Sequence, residues 1–124
     1  RYMSGVSIPI GGAVSKDQDP NGVQLGEKGA KLDRNKPDLL TALEQFPNAL
    51  AYISEVCFYG AEVKGYGWDS WKYLKGGETR YKRACVRHLS IPGADSESNL
   101  DHMKHAAWNA LATLEFMHKN GTLK

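Results

Sequence analysis

At 124 residues, with 41% hydrophobic and 24% charged side chains, the chain has room for one domain with a single modest core. A net charge of +2 without any basic run gives no argument for a nucleic acid polymer as partner. No apolar run approaches the roughly 20 residues of a membrane span, and nothing at the N-terminus resembles a signal peptide. Cys57 and Cys85 are too few and too far apart for a disulfide framework. They suit free thiols in a reducing compartment, which points to the cytoplasm.

Residues 1–28 show turn signals at Gly11-Gly12, Asp19-Pro20 and Asn21-Gly22 and little periodicity. They read as an irregular N-terminal arm. Its apolar residues Val6, Ile8, Ile10 and Val14 either lie across a partner surface or are disordered. Residues 29–124 read as one helical domain. It begins with a short polar stretch carrying Lys31, Asp33 and Lys36, and Pro37 is suited to the first turn of a helix. Asp38 lies just inside that helix, where its dipole favours an acid, and Leu39, Leu40 and Leu43 form an apolar face. Phe46-Pro47 then breaks or kinks it.

From Pro47 to Lys64 the pattern is helical, with Leu50, Ile53, Val56, Cys57 and Ala61 as the apolar stripe. Glu55 and Glu62 are seven apart and share a flank, with Tyr59 between them. Two carboxylates along one helix can present oxygen ligands to Mg²⁺ or Mn²⁺; they are equally read as two solvated glutamates. Gly60 in mid-helix costs about 1 kcal/mol against alanine, which suggests a close approach at that point. Gly65 supplies a left-handed cap. The glycine-rich loop after it holds Tyr66, Trp68 and Trp71. These rings either plug the edge of the core or form a stacking wall for a flat ligand such as a base.

The third helix is expected from about Glu78 to Leu89, with Tyr81, Ala84, Cys85 and His88 or Leu89 inward. Arg87-His88 sits at its C-terminal end, where cations are favourable. The last helix is expected from about Asn99 to His118, with Leu100, Met103, Ala107, Leu111 and Leu114 at helical spacing. Ser98 or Asn99 can cap it, and Asp101 falls in its first turn. His102, His105 and Asn109 share one flank, beside a tight acidic turn holding Asp95 and Glu97. A helical H-x-x-H can bind one metal ion or set an acid and a base on one substrate. The same residues also suit a polar helix-packing seam. Hairpin signals are absent, and short loops favour antiparallel neighbours. The fold class is therefore all-α, a four-helix bundle with an irregular N-terminal arm.

Several blocks carry a resemblance. They are K-x-D-x-x-K-P at Lys31 to Pro37, Y-G-A-E-x-K-x-Y-G-W at Tyr59 to Trp68, and R-H at Arg87-His88. The longest is D-x-E-S-x-x-x-H-x-x-H-x-x-x-N at Asp95 to Asn109. Together they resemble the phage dATP/dGTP diphosphohydrolase N-terminal domain family, which is similar to the MazG-like all-α nucleoside triphosphate pyrophosphohydrolases. The resemblance implies hydrolysis of purine deoxynucleoside triphosphates to monophosphate and pyrophosphate, dependent on Mg²⁺ or Mn²⁺. It implies a cytoplasmic setting, in a phage-infected or prophage-bearing bacterial cell. A homo-oligomer, dimer or tetramer, is also expected, because MazG-like sites are usually completed across subunits.

Residue by residue, Glu55 and Glu62 match the helix where MazG-like enzymes carry E-x-x-E. His102 and His105 stand where those enzymes have a second acidic pair. The spacing of seven and the imidazoles are departures, as is Asn99 where a glycine is usual; Asn tolerates the left-handed conformation. The expected metal ligands are Glu55, Glu62, Asp95 and His102. Glu55, Glu62, His102 and His105 are the catalytic candidates. Lys31, Asp33, Lys36, Lys64, Trp68, Trp71, Arg87, His88 and Asn109 are the substrate contacts. Two alternatives stand beside this. One is a catalytically inactive phage protein that sequesters a nucleotide signal, cyclic or not. The other is a structural helical bundle.

Overall fold

The computed structural model describes residues 19–124. Val6, Ile8, Ile10 and Val14 of the expected arm lie outside the described residues. Among the described residues the protein is all-α, as expected. It has four α-helices: α1 (Leu39–Glu44), α2 (Pro47–Phe58), α3 (Gly77–Leu89) and α4 (His102–Asn120). One π-helical turn, Tyr59–Val63, continues α2, and a 3-10 turn covers Ser70–Tyr73. Extended pairing is confined to one antiparallel bridge, Ala94 with Asp101. The chain divides into two compact units between Gln45 and Phe46.

The described part of the first unit is built around Asp19. Its carboxylate accepts from the backbone N–H groups of Asn21 (2.7 Å) and Lys31 (2.6 Å). These bonds stabilise the charged form and hold the Asp19 carboxyl below its usual range. Asp38 turns out to be the N-cap of α1, one residue outside it: its side chain accepts from Thr41 N at 3.2 Å. Leu39, Leu40 and Leu43 of α1 are exposed.

In the second unit α4 is central, packing against α3 and α2. Its buried face is His102, His105, Ala106, Asn109, Ala112, Thr113 and Phe116. This corrects the expected stripe, since Met103, Leu111 and Leu114 are exposed. Both sets recur at helical spacing, so periodicity does not separate them. The aromatic partners do. Phe116 meets Trp71 and Tyr81, and Trp108 meets the same two, with ring centroids 5.5 to 6.2 Å apart. The polar members of the buried face are satisfied locally. Asn109 Nδ2 donates to His105 O (2.8 Å), and Thr113 Oγ1 donates to Asn109 O (2.7 Å).

The helix starts at His102, not Asn99, because Asp101 is the cap; its Oδ1 accepts from Met103 N at 2.8 Å. Gly121, at φ 72°, closes it. Val56 and Ala61 carry the α2 stripe into the core, with Ile53 and Cys57 half-buried.

The glycine that permits close approach is Gly77, not Gly60. A Cβ on Gly60 would meet nothing within 4 Å, whereas one on Gly77 would lie 2.4 Å from the Phe116 ring. That ring is buried against Trp71 and Tyr81. Gly77→Ala is therefore expected to lose about 1–3 kcal/mol, the usual cost of overpacking, read as a lower urea midpoint. An unchanged midpoint would mean that the ring has somewhere to go.

Candidate active site

The loop Gly93–Asp101 brings the acidic turn against the start of α4. Asp95 N donates to Leu100 O (2.8 Å), and His102 N donates to Gly93 O (2.9 Å). Asn99 takes a left-handed conformation at φ 59°, as its residue type allows. Asp95 Oδ2 accepts from both Ser98 N and Ser98 Oγ, each at 2.9 Å. The backbone bond, with the hydroxyl and the nearby imidazoles, holds the Asp95 carboxyl below its usual range.

Three histidines meet this turn. His88, from the last turn of α3, stacks on His105 with centroids 4.8 Å apart. His88 Nδ1 lies 2.8 Å from His102 Nδ1, so one of the two carries the hydrogen and the other accepts it. Burial pushes both His88 and His105 below the ordinary imidazole value, aided for His88 by the other two rings. His88, Asp95 and His102 each offer a ligand atom, all within 4.8 Å of one another. Asp95 and His102 were expected as metal ligands. His88 joins them, although the sequence suggested a substrate contact. Glu55 and Glu62 are outside this group. Glu55 pairs with Lys104 at 2.7 Å, and Glu62 accepts from Trp68 Nε1 at 2.9 Å. The π-helical turn breaks the α-helical register between them, so a spacing of seven no longer implies one flank.

Beside the histidines is a cavity of about 620 Å³. Its walls include Tyr59, Trp68, Trp71, Tyr81 and Trp108, with Lys64, Ser70, His105 and Asn109 among its polar members. Trp71 is thus both core edge and cavity wall. Gly60 also lines the cavity, and its missing side chain keeps that wall open. Gly65 and Gly67, at φ 76° and 84°, turn the chain so that Tyr66 and Trp68 close one side. Lys64 is held by Glu97 at 2.9 Å, and that bond raises the pKa of its ammonium. Trp108, Tyr81 and Ser98 are the site residues that the sequence reading did not assign. The i, i+3 spacing of Trp108 after His105 is the signal that would have found the first.

Arg87 is on the exposed end of α3. Lys31, Asp33 and Lys36 belong to the first unit, where Asp33 Oδ1 is buried without a hydrogen-bond partner.

These shifts fix a pH dependence. Depressed histidines cost stability only where the unfolded chain would be protonated, below the ordinary value of 6.5. The depressed Asp95 contributes stability above its unfolded value of 3.8, lost as pH falls through the folded one. Both act in the same direction. The urea midpoint is expected to be flat above about pH 7, to fall below about 6.5, and to fall again below about 4. A midpoint that rises on acidification from pH 7 to 5 would contradict the site as drawn.

No curated protein and no solved structure matches the chain. One family model does, over residues 26–124, and that stretch holds the histidine cluster, the acidic turn and the whole cavity. The chain belongs to the family described as dATP/dGTP diphosphohydrolase, N-terminal.

Proposed function

We propose that the protein hydrolyses purine deoxynucleoside triphosphates, dGTP or dATP, to the monophosphate and pyrophosphate, with a divalent metal. The observation that carries this is the aromatic-walled cavity adjoining a His–Asp–His donor group, through His105. The donor set fits a divalent ion. Burial favours the neutral form of His88, and the bonds from Ser98 favour the ionised form of Asp95, which are the forms that bind metal. Two nitrogens and one oxygen favour Mn²⁺ over Mg²⁺. When bound, such an ion would neutralise phosphate charge and acidify a water.

The chain's own groups do the rest. Trp68, Trp71 and Trp108 offer faces for the base. Asn109 gives one Nδ2 hydrogen to His105 O, and it offers its amide oxygen and second Nδ2 hydrogen to a base or sugar edge. Lys64 reaches the phosphates in exchange for Glu97. His105 takes up a proton. Roles for Lys31, Asp33, Lys36 and Arg87 on phosphate rest on the resemblance alone.

Incubation with dGTP or dATP and Mn²⁺ or Mg²⁺, with chromatography of the products, tests this reading. Monophosphate and pyrophosphate are expected, and no product from either nucleotide overturns it. A second reading is favoured by one observation: Glu55 and Glu62 are engaged by Lys104 and Trp68. A site with so few free carboxylates suits a relative that binds a nucleotide without cleaving it. Saturable binding without turnover is its signature. Since all three tryptophans line the cavity, their fluorescence is expected to quench on adding either nucleotide. A flat titration, with binding shown by calorimetry, would take the base elsewhere.

We further propose a homo-oligomer, dimer or tetramer, in the cytoplasm of a phage-infected or prophage-bearing bacterial cell. Its support is the exposed outer face of α4, with Met103, Leu111 and Leu114, over a small core. No helix among the described residues is long and apolar enough to cross a membrane. Light scattering giving 13.7 kDa at micromolar concentration would end the oligomer proposal.

A further inference from the structure

Ser98 sits between Asp95 and His105, and its hydrogen bonds can be counted. Its Oγ lies 2.9 Å from Asp95 Oδ2, 2.6 Å from His105 Nε2 and 3.2 Å from Leu100 N. A hydroxyl has one hydrogen to give and two lone pairs to receive with. Leu100 N–H can only donate, so it takes one lone pair. Asp95 Oδ2 already accepts from Ser98 N, and an ionised carboxylate has no hydrogen of its own. The hydroxyl hydrogen must therefore point at Asp95. What remains for His105 Nε2 is the second lone pair of Ser98 Oγ, and only an N–H can use it. The 4.0 Å between His105 Nε2 and Asp95 Oδ2 is the span of this relay, with Ser98 Oγ inside it.

The consequence is a fixed tautomer. In a neutral ring with hydrogen on Nε2, the lone pair is on Nδ1. Among the described residues the buried side-chain nitrogens and oxygens lacking a partner come down to Asp33 Oδ1, so His105 Nδ1 is not sealed in. His105 itself lines the cavity. From this geometry we infer that Ser98 is a positioning residue: with Asp95 behind it, it holds hydrogen on His105 Nε2 and leaves Nδ1 as the atom that accepts a proton during hydrolysis. The catalytic half of this inference rests on the proposed function; the tautomer does not.

The step balances. As a water oxygen bonds to the α-phosphorus, its O–H bond breaks and the proton goes to Nδ1. The bond from that phosphorus to the bridging oxygen breaks, and pyrophosphate leaves with the electron pair. The Ser98 hydroxyl is fully committed and so takes no part as a nucleophile. The arrangement also explains why two acidic-turn residues serve one histidine. Asp95 orients the hydroxyl, and the hydroxyl orients the ring.

The test is ¹⁵N-detected NMR of the histidine ring nitrogens in the free, full-length protein, on the alkaline side of neutrality where the rings are neutral. The wild type and Ser98→Thr are expected to show His105 with a protonated Nε2 and a bare Nδ1. Ser98→Ala is expected to lose that preference. With dGTP and Mn²⁺, Ser98→Ala is expected to lower kcat by roughly 10–100-fold at unchanged KM, with Ser98→Thr restoring most of it. A bare Nε2 in the wild type overturns the inference, and so does a Ser98→Ala protein with the wild-type tautomer or the wild-type kcat. Should Ser98→Ala fail to fold, the wild-type and Ser98→Thr spectra still decide the tautomer. A wild-type protein that cleaves neither nucleotide sinks the proposed function, while the spectrum of the free protein still answers for Ser98.

Discussion

His102→Ala is expected to abolish nucleotide turnover and Mn²⁺ binding together while leaving the protein folded. Within the donor group, His102 Nδ1 touches a second donor, His88 Nδ1, at 2.8 Å. A cation taking both Nδ1 atoms would displace the hydrogen shared between them, and a neutral ring can carry that hydrogen on its own Nε2 instead. Losing an outer partner of a metal ligand costs roughly 10–100-fold in activity or affinity, and losing a ligand should cost more than that. The fold should survive because α4 is capped by Asp101, not by His102, and its aromatic anchor is about four turns away at Phe116. Calorimetry with Mn²⁺ and a product assay read the two effects. Glu55→Gln and Glu62→Gln are the comparison: if these variants lose turnover and His102→Ala keeps it, the ion belongs on α2.

The largest loss of stability is expected from Phe116→Ala, at about 3–5 kcal/mol for a buried aromatic ring. Among the described residues the buried apolar side chains are Phe116, Val56, Ala61, Ala106 and Ala112. Of the other four, Val56 alone is larger than alanine, and the alanines bury little area each. The ring also fills the space against Gly77 and meets Trp71 and Tyr81 edge-on or tilted. Its removal leaves a hole between α3 and α4 that no neighbour can close without moving a tryptophan. Against a total of about 5–15 kcal/mol, this would leave the variant marginal or unfolded at room temperature. Urea unfolding followed by tryptophan emission measures it. A loss below about 1 kcal/mol would show that the aromatic cluster is not what joins these helices.

The same residues show what was legible in advance. Local features came through well. Pro47 opens α2, Gly65 and Gly121 take left-handed conformations, and Asn99 does the same where a glycine would be usual. Each of these depends on a residue's own backbone preference, which needs no knowledge of neighbours. The flank carrying His102, His105 and Asn109 was also legible, since i, i+3 and i+7 fall together on any α-helix. Glu55 and Glu62 were read as sharing a flank of a regular α-helix, but Glu62 lies on a π-helical turn, and nothing in a spacing of seven announces a change of pitch.

The amino-acid sequence by itself thus determined the all-α class, the helix boundaries to within a few residues, and the H-x-x-H flank beside an acidic turn. Those follow from short-range preferences and from a helical period that every α-helix shares. Only the tertiary structure decided which face of α4 is buried. Two stripes with the same period compete there, and the choice falls to the rings of Trp71 and Tyr81, distant in sequence, that meet Phe116 and Trp108. It also decided that His88, 14 residues before His102, completes the donor group, and that Ser98, expected as a helix cap, instead bridges Asp95 and His105. Both are contacts between elements, set by how α3 and the loop before α4 pack, and no periodicity along one segment encodes them.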